Sequence, residues 1–571
     1  MAFTHRPSSL SSRPTRPPRW RQRVVPGLLA LAVANPWGVA LSAHAETLSM
    51  SLSDAASRAR TDDTSDAATA SAPGALPALG DAAAQDLSPM QERKLGDQIM
   101  RSLLSDPDVV DDPLVLEYVS QVWGRLLDAA KRLGEIGPDL EASHAWRPFL
   151  VKDPTVNAFA LPGGYIGIHF GLLAMTSTPD ELASVMAHEL SHVTQRHIAR
   201  MMSRQSRQSM VSLASLILGI LAASRAPAAA EAMIYGGQAG AIQDQLNFSR
   251  DMEREADRVG FGVLKEAGFQ PEGMALMFEH LQQASRLNDD GSWPFLRTHP
   301  LTTQRIAEAH ARVGPGAWDE AALRSHTDTA LYARHLLMSA RSRVLMDTRG
   351  DALAVLSTPD IKRGATPLQQ LGAHYMAAVA QWRSSRPKQA MGELDTARAL
   401  LKALPAVQQP VVARVLDLTQ VDVDLALHQA QAAAEALDHT PTADGLGAPA
   451  RPEMLLRAQV ALAMPDTAAS ASAWREAASR LQTHLSVHPE DATAWSTLAQ
   501  LWQRLNQPIR AVRADAEAVA ANGDLAGAID RIEGARKRFR QPSADDVIEL
   551  SVMDARMKTW QRQQREDMKD R

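Results

Sequence analysis

The residues best suited to chemistry in this sequence are two histidines four positions apart, His188 and His192, with Glu189 directly after the first. This H-E-x-x-H motif lies in a segment of helical periodicity, and residues i and i+4 of a helix sit about 40° apart around its axis. Both imidazoles can therefore reach one metal ion, and Glu189 can take a proton from water held there. The motif is typical of zinc hydrolases that cleave peptide bonds, although it also occurs by chance on surface helices.

The residues before the motif are typical of a helix start. Thr178 is suited to cap the helix, Pro179 to occupy its first position and Glu181 to close a capping box. Apolar residues then recur at helical spacing, namely Leu182, Val185, Met186 and Val193. The motif is therefore predicted on a helix with an apolar face to bury.

A catalytic zinc site needs a third side chain and an open position for water. Residues 251–260 follow a second helical pattern, for which Gly268 is a plausible stop signal. Glu253 and Asp257 lie one turn apart on one face, so Glu253 could bind the metal and Asp257 could hold the free ring N–H of a ligand histidine. Glu255 is expected to point away into solvent. Taken alone, this segment is better interpreted as an ordinary charged helix face; together with His188 and His192 it is interpreted as part of a metal site.

Four motifs in this order resemble the family of zinc metalloproteases that includes the CAAX-processing and HtpX-like peptidases. The H-E-x-x-H motif is preceded by N-A-F-A-L-P-G-G-Y-I from Asn157, and it is followed by E-x-x-A-D from Glu253 and by H-P-x-x-x-x-R from His299. The order and spacing are most similar to the BepA-type periplasmic branch, in which a protease domain precedes tetratricopeptide repeats. The resemblance covers residues 88–315 strongly and the helical remainder loosely.

The resemblance implies one zinc ion held by His188, His192 and Glu253, with Glu189 as the general base. The donor types agree, because two histidines and a carboxylate favour zinc. Protein or peptide substrates are implied as well.

Two further residues, His299 and Arg305, have several possible roles. The resemblance suggests that His299 occupies the fourth metal position in a resting state, which would make the protease latent. His299 could instead stabilise the tetrahedral intermediate, or only mark the start of the next helix. Arg305 could support the oxyanion or be a surface arginine.

Short strands are predicted at residues 156–160 and 165–169, around a turn at residues 161–164. An edge strand beside the motif helix would let an extended substrate pair through its main chain. Such pairing favours an unfolded or flexible substrate, as in protein quality control.

The whole chain excludes several other classes of function. Its 571 residues predict two folded domains plus tails, and the balance of 60 basic and 65 acidic residues gives no indication of nucleic-acid binding. The absence of cysteine rules out disulfides, thiolate zinc sites and thiol catalysis.

Residues 1–45 are predicted to be a signal peptide, with several arginines, an apolar run from Val24 to Ala34 and an A-x-A cleavage site ending at Ala45. This prediction places the mature chain in the periplasm of a Gram-negative bacterium; a short anchor or a mitochondrial-type presequence is the alternative. Residues 46–87 are rich in Ala, Ser and Asp and are predicted to be a disordered linker.

The most hydrophobic internal run, residues 211–223, is too short to span a bilayer. It is interpreted as a lid over the cleft, a membrane-touching helix or a plain core helix. We therefore expect at most peripheral contact with a membrane.

The predicted fold is α+β and mainly helical: a zincin-type metalloprotease domain over residues 88–320, with a small β-sheet, and an all-α tetratricopeptide-like domain over residues 325–571. Small residues such as Ala477 and Ala511 recur at a 34-residue period. A generic helical bundle is the alternative. Such repeats commonly bind other proteins.

The resemblance implies a zinc metalloendopeptidase of the cell envelope, which would cleave misfolded or stalled proteins during outer-membrane protein assembly and quality control. The repeats would then dock it onto the outer-membrane assembly machinery. The alternative is a chaperone or scaffold that acts through its repeats while the protease stays largely latent.

Overall fold

The computed structural model describes residues 87–202, 249–287, 294–314, 329–440, 450–539 and 543–569. The predicted signal peptide, the predicted linker as far as residue 86, and the apolar run at residues 211–223 lie outside the described residues. All described residues belong to one compact unit. Among the described helices, none combines the length and apolar character that crossing a bilayer requires.

The first part of the chain combines helices with a small sheet. Its elements are α1 (Pro89–Leu104), β1 (Val109–Val110), α2 (Pro113–Arg132), α3 (Pro138–Ser143), β2 (Arg147–Val151), β3 (Ala158–Leu161), β4 (Tyr165–His169), α4 (Phe170–Met175), α5 (Pro179–Thr194) and α6 (His197–Met202). The strands lie in the order β1-β2-β4-β3, with β2 and β4 parallel and the two outer pairs antiparallel. The two predicted strands correspond to β3 and β4, and β3 forms an edge of the sheet beside α5.

Helix α5 carries the H-E-x-x-H motif and is buried along its whole length. It packs against α2, β3 and several later helices, so it lies in the interior rather than burying one face only. The Thr178 side chain caps it by accepting the Glu181 N–H at 3.2 Å, as predicted. The Glu181 carboxylate accepts from the Ser177 N–H at 3.2 Å and from the Thr178 hydroxyl at 3.3 Å.

The next elements are α7 (Arg250–Glu266), α8 (Glu272–Leu287), α9 (Pro294–Thr298) and α10 (Thr303–Val313). Gly268 has a φ of +77° and ends α7, as the sequence predicted. Gly260 allows α7 to approach α5 closely, because a β-carbon there would lie 3.1 Å from the Ala187 carbonyl oxygen. The two helices that carry most candidate ligands are therefore packed directly together.

The remaining described chain is helical throughout. Its helices are α11 (Thr329–Leu345), α12 (Gly350–Leu356), α13 (Pro367–Arg383), α14 (Pro387–Leu400), a 3-10 turn (Leu401–Ala403), α15 (Gln409–Ala426), α16 (Ala430–His439), α17 (Arg451–Ala463), α18 (Ala468–Val487), α19 (Ala492–Arg504), α20 (Pro508–Ala521), α21 (Leu525–Arg538) and α22 (Ala544–Lys569). Successive helices pack on one another, and we call this region the helical array. The fold is mainly helical α+β, which confirms the predicted fold class.

The helical array is tied to the first part of the chain through its core and through ion pairs. One hydrophobic cluster runs from Leu114 on α2 to Val460 on α17. Arg341 of α11 binds both carboxylate oxygens of Asp112 at 2.9 Å. The predicted domain boundary between residues 320 and 325 lies outside the described residues.

Candidate metal centre

Four buried side chains that could bind a metal converge from three segments. His188 and His192 project from α5, Glu253 from the first turn of α7, and His299 follows α9 directly. None of the four is more than 3% exposed. One ligand atom from each lies within 4.8 Å of the others.

The ligand atoms are spaced as they would be around one metal ion. The Nε2 atom of His188 lies 3.0 Å from Nε2 of His192 and 3.4 Å from Nδ1 of His299. Oε1 of Glu253 lies 3.5 Å from Nε2 of His192 and 2.9 Å from Nδ1 of His299. Tetrahedral zinc with ligands at about 2.0–2.1 Å separates them by about 3.3–3.5 Å. The residues present therefore fit a divalent metal, both in donor type and in spacing.

His188 is supported from behind by a carboxylate. Its Nδ1 lies 3.0 Å from Oδ1 of Asp257, one turn beyond Glu253 on α7. Burial by itself lowers the pKa of His188, but the hydrogen bonds to Asp257 and Glu253 outweigh burial and raise it to about 9. Asp257 therefore lies behind His188, and its role in supporting a metal ligand stays a prediction.

Arg305 is buried, at 3% exposed, so the alternative of a surface arginine is wrong. Its Nε and Nη2 donate to the two oxygens of Asp257 at 2.6 and 2.8 Å. Its Nη1 donates to the Pro300 carbonyl at 3.0 Å and lies 2.7 Å from Oε2 of Glu253. The guanidinium thus anchors the Glu253 and Asp257 carboxylates of α7, and its support of an oxyanion stays a prediction.

His192 has a support that the sequence analysis missed. Its Nδ1 lies 2.9 Å from Nδ1 of His197, a fully buried histidine at the start of α6. Nε2 of His197 lies 3.1 Å from Oε2 of Glu255, to which Arg200 also donates at 2.8 Å. Glu255 is therefore half-buried and hydrogen-bonded, whereas the sequence predicted that it points into solvent. Burial lowers the pKa of His197 to about 4, which keeps its ring neutral.

Glu189 faces the cluster from the side of the sheet. Its Oε2 accepts the Ala160 N–H of the edge strand β3 at 3.0 Å, and its Oε1 lies 3.4 Å from Nε2 of His299. Burial raises the pKa of Glu189 and outweighs the opposite effect of His299 and His188. A carboxylate that binds protons more tightly is a stronger base.

His299 lies between the two glutamates of the cluster. Its Nδ1 faces Glu253 and its Nε2 faces Glu189. The Phe295 ring of α9 stacks on the His299 imidazole at a centroid distance of 4.8 Å and holds its plane. All seven candidate residues from the sequence are therefore brought together in one buried site.

The fold and this site define a class of protein: a metallopeptidase with two histidines on one helix and a carboxylate on a later helix that packs against it. Comparison with known proteins agrees, because the family described as "Peptidase family M48" matches residues 126–313.

Two related proteins match far more of the chain, and a third matches about as much as the family does. The "Beta-barrel assembly-enhancing protease" of Yersinia pestis is 30% identical over 482 residues, which cover 84% of this chain and 90% of that protein. The protein of the same name from Escherichia coli strain K12 is 30% identical over 465 residues, covering 81% of this chain and 88% of that one. The "Mitochondrial metalloendopeptidase OMA1" of Saccharomyces cerevisiae is 28% identical over 193 residues, covering 33% of this chain and 53% of that one.

The chain belongs to the M48 peptidases, and within them to the family of beta-barrel assembly-enhancing proteases. It is a metalloendopeptidase, and its substrates are proteins or peptides.

Proposed function

We propose that His188, His192 and Glu253 hold one zinc ion and that Glu189 is the general base of peptide-bond hydrolysis. The observation that carries this proposal is the convergence of three buried donor atoms beside the Glu189 carboxylate. A zinc ion held there would lower the pKa of a water molecule and polarise the substrate carbonyl. The donor set of two imidazoles and one carboxylate favours zinc over harder metals.

The protein groups around the cluster would move and direct the proton. Ala160 donates its N–H to Oε2 of Glu189 and so fixes the plane of that carboxylate. Glu189 would take the proton from water and pass it to the leaving amine. Asp257 and Arg305 would keep His188 and Glu253 in place while this happens.

The edge strand β3 is proposed as the surface that binds the substrate. An extended peptide could add to it through main-chain hydrogen bonds, as a fifth strand of the sheet. Because Ala160 of this strand contacts Glu189, a peptide paired there would pass beside the general base. This arrangement favours unfolded or flexible substrates over compact ones.

His299 is proposed to keep the resting enzyme latent. Its Nδ1 lies among the donor atoms and its Nε2 faces Glu189, so one imidazole covers both the fourth ligand position and the base. Its departure would open the position that water needs.

The cellular role is proposed from the names of the relatives, which are described as enhancing beta-barrel assembly. The mature chain would begin after Ala45 and work in the periplasm of a Gram-negative bacterium, with at most peripheral membrane contact. A catalytic domain over residues 88–320 would cleave misfolded or stalled outer-membrane proteins. Degenerate tetratricopeptide repeats over residues 325–571 would dock it onto the assembly machinery.

The test is casein hydrolysis together with the zinc content of the purified protein. Wild type should carry one zinc per chain and cleave slowly. Glu189→Gln should keep the zinc and cleave about 10²–10⁴-fold more slowly, because only the base is lost. His299→Ala should cleave faster than wild type.

The matched control is His310→Ala, which removes a half-buried histidine of α10 and should leave both readings unchanged. A wild type without zinc, or a Glu189→Gln variant that cleaves at the wild-type rate, would contradict the proposal.

A further inference from the structure

Two residues separate the end of the H-E-x-x-H helix at Thr194 from His197, and the chain turns back there toward the metal centre. Arg196 has a φ of +51°, in the left-handed region, and α6 begins directly after it. The Arg196 side chain is held in this position by Glu92 of α1, whose Oε1 accepts from its Nε at 2.8 Å. This turn brings the His197 ring behind His192, on the side away from the donor atoms.

We propose that His197 is a positioning residue that fixes which nitrogen of His192 carries the proton. This inference rests on the proposed ligation of the metal by His192. It concerns a chain of four groups, His192–His197–Glu255–Arg200, whose successive contacts measure 2.9, 3.1 and 2.8 Å.

The Glu255 carboxylate determines the direction of each hydrogen bond in this series of four side chains. The Glu255 carboxylate, which also accepts from Arg200, can only accept, so Nε2 of His197 must carry the hydrogen. In a neutral ring the other nitrogen, Nδ1, is then an acceptor. It follows that Nδ1 of His192 carries a hydrogen and donates it to His197. The lone pair of Nε2 of His192 is left facing the donor cluster, as metal binding requires.

The two ligand histidines thus have supports of the same kind but of different length. Nδ1 of His188 lies 3.0 Å from the carboxylate of Asp257, which Arg305 anchors. His192 reaches its carboxylate, Glu255, only through the His197 ring. In each case an arginine holds the carboxylate and the carboxylate fixes the histidine.

The test compares His197→Asn with His197→Leu in the full chain. The two side chains have nearly the same size and shape, but the Oδ1 of asparagine can accept from Nδ1 of His192 and leucine cannot. Zinc affinity is measured by competition with a chelator. His197→Leu should weaken zinc binding by about 10–100-fold, the range found for loss of an outer hydrogen bond to a ligand. His197→Asn should bind more tightly than His197→Leu and recover most of the wild-type affinity.

Melting temperatures distinguish the proposed hydrogen bond from a purely structural role of His197. Measured with zinc removed, the melting temperatures of the two variants should agree with each other. Any difference in their zinc affinity then arises from the hydrogen bond alone. His374→Leu is the matched control, because it removes a histidine bound to a glutamate, Glu393, at 2.7 Å within the helical array. It should leave zinc affinity unchanged.

A variant of the ligand itself separates this inference from the proposed function. His192→Ala should lose zinc binding altogether. That loss would support the assignment of His192 as a ligand. The positioning role of His197 is nevertheless wrong if His197→Leu binds zinc as tightly as wild type, or no more weakly than His197→Asn. If His192→Ala keeps full zinc affinity, both are overturned.

Discussion

Two of the regions that bury charged groups, among the residues that the structure describes, differ in what those groups face. Where the helical array meets the first part of the chain, each buried arginine is matched by carboxylates: Arg341 binds Asp112, and Arg414 binds Glu117 and Glu453. At the metal centre, by contrast, one carboxylate and three imidazoles point their donor atoms at a common position. Groups that satisfy one another hold a structure together, whereas groups that converge on one point are available to a ligand.

The largest effect on stability is expected from breaking a pair at the interface. Arg341→Met leaves the Asp112 carboxylate without its guanidinium partner, and Arg341 itself is only 2% exposed. We expect the free energy of unfolding, measured by urea titration, to fall by about 3 kcal/mol. Zinc affinity should be unchanged, because Arg341 contacts none of the donor residues.

The matched control is Arg349→Met, which removes an exposed arginine bound to Asp347. Solvent screens this pair, so its loss should leave stability unchanged within error. If Arg341→Met were as stable as wild type, the ion pairs at the interface would not be holding the array in place.

At the metal centre, by contrast, the effect is expected on zinc affinity. Asp257→Asn removes the charge that faces both His188 and Arg305, and its amide would turn N–H groups toward one of these donors. Zinc affinity, measured by chelator competition, should fall by about 10–100-fold. Asp395→Asn, at an exposed carboxylate of the helical array, is the control and should bind zinc as wild type does. If the two variants bound zinc equally tightly, Asp257 would have no role in supporting the metal site.

The same contrast explains what the sequence could predict. The spacing of His188 and His192 within one helix, and of Glu253 and Asp257 within another, is local, and helix geometry alone places each pair on one face. The two strands and the Gly268 stop signal are local features too, and the structure confirms them. The sequence analysis did not predict that α5 is buried on all sides. Polar residues usually indicate an exposed helix face, but here they are buried because they form the candidate metal centre.

His197 shows why the rest could not be predicted. Five residues after His192, it would lie on a different face if the helix continued. Its place behind His192 depends on the left-handed residue Arg196 and on the contact of Arg196 with α1, about one hundred residues earlier in the chain. A third histidine shortly after H-E-x-x-H was the only signal available. The ion pairs of the helical array are likewise long-range, and no periodicity encodes them.

The most direct test of the account is anomalous X-ray diffraction at the zinc edge from crystals of the metal-loaded protein. We expect one strong peak at about 2.0–2.2 Å from Nε2 of His188, Nε2 of His192 and a carboxylate oxygen of Glu253, with Glu189 outside bonding distance. A peak bound elsewhere, or one in which Glu189 is a ligand, would contradict the assignment of metal ligands and general base.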